Sequence, residues 1–347
     1  MATIVTFGEI MLRLSTPGFQ RFVQARQFDV AYGGGEANVA ISLANYGHDA
    51  RFVTRLPDHA VGQSALNHLR GHGVDTRFVA RGGERLGIYF LETGASQRAS
   101  TVIYDRAESA VATMPPDAVD WDATLDGADW FHWTGITAAL GETARQSLGA
   151  ALAAAKAAGA TVSCDLNFRK KLWTTDEAQA AMRPLMEHVD VCIANEEDAD
   201  KCLGMHASET NVEGAELDEA GYARLAERLR DTFDFQAVAI TLRESHSASD
   251  NGWSAMLLGG AGSAAPLAAA RRSRVYGVRL VDRVGGGDSF AAGLVHGLLT
   301  KADAGEALEF AVAASALKQT IPGDLNLTSA AEVEKLATGS GSGRVER

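Results

Sequence analysis

The sequence predicts an α/β protein in which a mainly parallel central β-sheet is flanked by helices and overlaid by a small β-sheet lid. Three observations carry this. Short β-branched and aromatic runs alternate with alanine- and leucine-rich stretches of helical spacing along most of the 347 residues. Two regions, about 12–31 and 84–106, break that alternation and show few helix signals. Two glycine triplets, at 33–35 and 285–287, each stand directly before a helical pattern.

In chain order, TIVTFG is the first strand and 12–31 is extended lid chain. AYGGGEANVAISLANYG (31–47) then turns through glycine into a helix, with apolar residues at helical spacing between Glu36 and Asn45. ARFVTRL returns to strand. Within 84–106, GIYFLE and RASTVIYDR alternate as half-exposed antiparallel strands do, which adds them to the lid. DWFHWT, TVSCDL, VDVCIA and QAVAITL follow as strands of the main sheet, separated by helical segments such as 141–158 and 221–232. A Gly/Ala/Ser stretch at 259–272 reads as an exposed hairpin or loop. In DRVGGGDSFAAG (282–293) a glycine turn opens a helix whose Phe290, Leu294 and Leu298 are spaced to anchor it on the sheet. The ending GSGSGRVER (339–347) has the composition of a flexible tail, and the pattern as a whole fits one domain over 1–347.

Composition narrows the partners. A net charge of -12 disfavours nucleic acid and anionic membranes, while leaving small anionic substrates open, since those respond to local charge. The N-terminus lacks the flanks of a signal segment and no stretch is long enough to cross a bilayer, so a soluble cytoplasmic protein is expected. The three cysteines, Cys164, Cys192 and Cys202, lie in apolar or helical surroundings without paired metal-ligand spacing and read as reduced, buried thiols. His132 reads as a packed strand histidine and the five tryptophans, Trp121, Trp130, Trp133, Trp173 and Trp253, as packing residues. No serine sits in a nucleophile elbow and no His/Cys group has zinc spacing.

The strongest chemical signal is Gly285-Gly286-Gly287-Asp288. Glycines allow close backbone approach to a phosphate and tolerate positive φ, and the free N–H groups of a helix start favour an anion. Asp288 is there either as a helix cap or as a catalytic acid/base. An aspartate at such a start should stay ionised, as an ordinary weak base, because dipole and donors favour the anion. The glycine spacing is neither that of a P-loop nor of a dinucleotide fingerprint, and no G-x-G-x-x-G follows the first strand, which disfavours a nicotinamide-dependent dehydrogenase.

From Asp282, the pattern D-x-x-G-x-G-D resembles the signature of the ribokinase-like (phosphofructokinase-B type) carbohydrate kinases, and Gly33, Gly34 and Asn38 resemble that family's G-G-x-x-x-N stretch. The resemblance covers essentially the whole chain. Within the family, EIMLRLSTPGFQRF, GIYFLE, IYDRAESA, DLNFRKKLW, TLRESHSASDNGWSA and IPGDLNLTSAAEVE look most similar to the 2-keto-3-deoxygluconate kinase branch. It implies transfer of phosphate from ATP, with Mg2+, to the 6-hydroxyl of that sugar acid, and in part of the family a monovalent-cation site built from carbonyls near Asp282. By the same resemblance Arg106 and Arg169 hold the keto-acid end, with Tyr89, Tyr104 and Asn167 beside them. Gly33, Gly34 and Asn38 hold hydroxyls, Asp288 takes the proton, and Gly285, Gly286 and Gly287 face the transferred phosphate. Asn195, Thr241 and Arg243 fall at nucleotide contacts. Arg243 replaces the usual glycine of T-L-G, and Asp198 stands where Asn-x-x-Glu is usual. Glu197 or Asp198 would then reach magnesium through water, the alternative being a helix start with acids near its positive end. Arg283 is left without a role. Rival readings are a fructokinase or other sugar kinase of this fold, and a sugar- or nucleotide-sensing protein without catalysis. Exposed lid strands would suit pairing into a homo-oligomer.

Overall fold

The computed structural model describes residues 1–206 and 219–339, so the expected tail lies, apart from Gly339, outside the described residues. In chain order the strands are β1 Thr3–Phe7, β2 Met11–Ser15, β3 Asp29–Gly33, β4 Asp49–Val53, β5 Arg55–Leu56, β6 Ala80–Arg81, β7 Ile88–Glu92 and β8 Thr101–Asp105. They continue as β9 Trp130–Thr134, β10 Thr161–Asp165, β11 Val191–Ala194, β12 Ala237–Ser245, β13 Asp250–Gly259, β14 Leu267–Arg272 and β15 Tyr276–Arg279.

The main sheet runs β14-β13-β12-β11-β10-β9-β1-β4, and β15 also pairs with β13. From β4 to β12 every neighbour is parallel, whereas β13 to β15 are antiparallel, which makes the 259–272 stretch part of a hairpin. Strands β9 and β11 are buried along their whole length because helices cover both faces; that is why they read as continuous apolar runs. Strand β9 feeds both layers: Trp130 packs with Ile41, Phe52 and Phe290 on one side, and Phe131 and Trp133 pack with Phe7, Leu148 and Val162 on the other. His132 is a packed residue, 2.8 Å from Ser163 Oγ, with burial pushing its pKa down to about 3. The three cysteines are free and buried.

The lid is a separate four-stranded sheet, β3-β2-β7-β8, formed from the two segments that interrupt the alternation. Period-two alternation turns Met11, Arg13, Tyr89 and Leu91 inward, and leaves Val30 and Ile103 on the exposed side. Among the described residues no helix is long and apolar enough to cross a membrane.

The helix Gly286–Thr300 buries Phe290, Leu294 and Leu298 completely, in one apolar cluster with Trp130, Val191, Ile193 and Ala239 of the main sheet, as their spacing suggests. It also packs against the helices Ala304–Lys318 and Gly35–Asn45, and Gly293 and Gly297 let the first of these approach closely. A Cβ at Gly297 would come 2.6 Å from Ala307 Cα. Gly297→Ala is therefore expected to lower stability by about 1–3 kcal/mol, read from urea unfolding, whereas a helix with open space at Gly297 would gain from the same change.

Candidate active site

The two glycine-opened helices meet. Gly285 caps Gly286–Thr300 in the left-handed conformation, φ 81°, and a Cβ there would lie 2.0 Å from the Asp324 carbonyl oxygen, so only glycine fits. No side chain caps this helix, which removes the capping alternative for Asp288. A Cβ at Gly287 would meet nothing within 4 Å, so its backbone faces open space. At the other triplet, a Cβ on Gly33 would strike the Asp324 carboxylate at 2.0 Å, and one on Gly34 the Glu9 carbonyl at 1.9 Å. Gly34 N donates to Asn38 Oδ1 (3.3 Å), which turns Asn38 Nδ2 toward Asp288 Oδ2 at 2.7 Å.

Burial pushes the Asp288 carboxyl up to about 6; Asn38, Arg169 and Lys318 oppose the rise and Asp324 adds to it. The expected ordinary carboxylate is corrected here, because desolvation outweighs the helix start when the side chain turns to Asn38 instead of the helix's own N–H groups. At neutral pH Asp288 is still mainly ionised, and it is a stronger base than a solvated aspartate.

Asp324 accepts from Arg13 and from the Tyr89 hydroxyl, and Arg13 also donates to Asp282. Tyr89 therefore lines the cleft with its phenol already engaged. Asp282 further accepts from the N–H groups of Val284 (3.0 Å) and Gly323 (3.0 Å), and its carbonyl accepts from Lys318 Nζ at 2.9 Å.

Both glycine triplets, Asn38, Tyr89, Asp288 and Asp324 border a cleft of about 580 Å3 at the carboxyl ends of the parallel strands, under the lid. Arg106 lines it but is not a free cation: it pairs with Glu9 at 3.2 Å and stacks 4.1 Å over the Tyr104 ring, while its Nε is buried without a partner. Arg169 follows β10 through Asn167, whose backbone takes φ 41°, and donates to the Phe168 carbonyl at 2.9 Å. It has no ion pair among the described residues. Asn195 caps the helix Glu196–Leu203 by accepting from Asp198 N at 2.8 Å, and Asp198 Oδ1 accepts from Phe168 N at 2.9 Å. The helix-start alternative thus accounts for these two contacts, although Glu197 and Asp198 both line the cleft. Burial raises Asp198 to about 6. Thr241 donates to the Ala194 carbonyl at 3.4 Å, and Arg243 lines the same end of the cleft.

Residues 1–330 match the family model described as pfkB family carbohydrate kinase. The chain belongs to that family. A solved structure of 2-dehydro-3-deoxygluconokinase from Thermotoga maritima is 51% identical, with a TM-score of 0.92, and the match covers 98% of this chain and 100% of that one. A 2-dehydro-3-deoxygalactonokinase of Haloferax volcanii is 34% identical over 99% of this chain and 98% of its own length. A 2-dehydro-3-deoxygluconokinase of Thermoproteus tenax is 30% identical over 97% and 94%.

Several residues in and behind this carbohydrate kinase's cleft escape sequence reasoning. Arg283 lines it, and its pKa is lowered by burial and by the like charge of Arg243, so two arginines share the mouth. Arg13 and Asp324 hold the lid to the glycine loop; the available signal was an arginine at an inward position of the strand MLRLS. Glu36 is buried just after the first triplet, where Oε1 accepts from Thr134 N, Thr134 Oγ1 and Thr137 Oγ1. Trp253, assigned to packing, also borders the cleft.

In a carbon-13 NMR titration, the Asp288 carboxyl is expected to titrate near 6, and Asn38→Ala to move that midpoint upward because the hydrogen bond favouring the anion is gone. An unmoved midpoint would exclude Asn38 as its partner.

Proposed function

We propose that this kinase transfers the γ-phosphoryl group of ATP to the 6-hydroxyl of 2-keto-3-deoxygluconate. The observation that carries the reading is Asp288, a buried carboxylate held by Asn38 at the start of a glycine-opened helix, with Arg169 in the same cleft near Asp288, Asp165 and Asp198 but in no direct ion pair among the described residues. Arg169 takes the substrate carboxylate, since a planar guanidinium matches it in two hydrogen bonds. Arg106, already neutralised by Glu9, backs the keto end together with Tyr104 and Asn167. Gly33, Gly34 and Asn38 meet the hydroxyls along the chain. Tyr89 acts on the shape of the cleft through Asp324.

The terminal hydroxyl then lies beside Asp288, which accepts its proton as bonding to phosphorus develops. N–H groups of Gly285, Gly286 and Gly287 face the oxygens that gain charge in the transition state. Arg243 and Arg283 hold the phosphate chain, with Asn195 and Thr241 near the nucleoside end. Among the described residues no cluster of three metal-ligating side chains exists, and Glu197 and Asp198 are hard oxygen donors lining the cleft. That set fits a magnesium ion carried on the nucleotide phosphates and reached by Glu197 or Asp198 through water. The ion, when bound, neutralises phosphate charge.

A coupled assay with MgATP across sugar acids and neutral ketoses tests this. Turnover is expected with 2-keto-3-deoxygluconate and, given the Haloferax relative, the galactonate-derived epimer is the control that defines selectivity. Asp288→Asn should keep ATP binding and lose about 10²–10⁴-fold in turnover. Arg169→Ala should weaken the acid by about 10–100-fold and leave a neutral sugar nearly unchanged. Preference for fructose would favour the neutral-sugar reading, and no ADP with any acceptor the sensing one.

We further propose that two copies pair through their lids. Val30 and Ile103 are 65% and 49% exposed on the outer lid face, next to exposed Phe28, an apolar patch on strands with free edges. Sedimentation should give a dimer that Val30→Glu with Ile103→Glu converts to monomer; an unchanged mass for the charged variant would remove the lid from the interface.

A further inference from the structure

Lys318, the last residue of Ala304–Lys318, is fully buried, and its ammonium group enters none of the steps above. A buried ammonium stays charged only where carbonyls and carboxylates replace its water. Lys318 Nζ donates to the Asp282 carbonyl at 2.9 Å and approaches the Ile321 carbonyl at 3.5 Å. Burial lowers its pKa, while Asp282, Asp324 and Asp288 favour the charged form and Arg13 opposes it.

The place of these contacts matters more than their number. Asp282 begins the loop that carries the second glycine triplet. One helical turn before Lys318, Ser315 Oγ donates to the Gly286 carbonyl at 2.7 Å, and beyond it Gly323 N donates to Asp282 Oδ2 at 3.0 Å. The Asp324 carbonyl lies against Gly285. Segment 315–324 therefore braces the glycine loop along its length, and Lys318 is the charged member of that brace. Two carbonyl oxygens converging on a compact +1 charge, with carboxylates behind them, form the surroundings a potassium or ammonium ion takes.

We propose that Lys318 is a positioning residue that serves as a built-in monovalent cation: it orders the carbonyls of the glycine loop and sets a positive charge behind the anion-facing N–H groups, so that phosphoryl transfer needs no alkali ion from solution. A tethered ammonium is always present and gives up no translational freedom when it acts, which a dissolved ion must. Removing the amine leaves the Asp282 carbonyl without its partner and opens space for an ion of similar size. The inference rests on the kinase reading but not on the identity of the acceptor.

The test is a cation series at constant ionic strength, with tetramethylammonium, too large for the site, as the inert counter-ion. Wild-type turnover is expected to change by less than about twofold on adding potassium or ammonium. Lys318→Met should lose about 10²-fold in kcat with the KM for the sugar within about threefold, and ammonium or potassium should restore at least about tenfold of the loss. A merely structural role would not give rescue by a specific ion. Potassium stimulation of the wild type, wild-type turnover of Lys318→Met without small cations, or an unrescued loss in a variant that still binds MgATP would each overturn the proposal. Should Lys318→Met fail to fold, the wild type decides: a melting temperature and rate unmoved by potassium support it, and a rise in either overturns it. Rates are read with whichever acceptor turns over. Failure of 2-keto-3-deoxygluconate as acceptor overturns the acceptor reading alone, and MgATP affinity across the same cation series then tests Lys318.

Discussion

The buried network of Arg13, Asp282, Asp324 and Lys318 is the constraint on which the rest of the site depends. Its members come from a lid strand, the loop before the helix Gly286–Thr300, and the end of the helix Ala304–Lys318 with the segment after it. Each charge taken from water must find its partner at one position, because a displaced partner leaves an uncompensated charge in a medium that solvates it poorly. Such a network adds little net stability for its area, but it admits few geometries. Here it holds the lid, the glycine loop and the helix pair in a single mutual arrangement.

That arrangement explains why Asp288 is a better base than its position in the helix suggests. Burial and the Asp324 charge raise its pKa, while Asn38, Arg169 and Lys318 pull the other way. The balance leaves a carboxylate that is ionised at neutral pH and still able to take a proton. The close approach of Gly33 and Gly285 to Asp324 belongs to the same logic: with any side chain at either position, the acid and the loop could not both stay where they are.

Much of the fold was legible in the chain. Uninterrupted β-branched runs mark strands covered on both faces, alternating runs mark the half-exposed lid, and the two triplets mark helix starts. Those signals are local, and tertiary packing did not override them. The spacing of Phe290, Leu294 and Leu298 marked the sheet-facing side of Gly286–Thr300, but not its second packing partner, the helix Ala304–Lys318, because helical spacing reports that a face is buried and not everything that covers it. Among the site residues, Asn38 and Asp288 were legible through their glycines. Arg106 and Asn195 were legible as cleft residues but not in their pairing, since Glu9 and the Asp198 N–H reach them only after folding.

The sequence by itself determined the α/β architecture, the lid, the two glycine-opened helices and the carboxylate beside the second of them. All four rest on backbone preferences and periodicity that neighbouring residues already express. Tertiary structure alone decided that Asn38 and Asp288, 250 positions apart, share a hydrogen bond. It also decided that Arg106 is ion-paired with Glu9 while Arg169 makes no direct ion pair among the described residues, and that Lys318 brings its charge under the glycine loop. Long-range charge pairing and burial set those properties, and neither leaves a periodic trace along the chain.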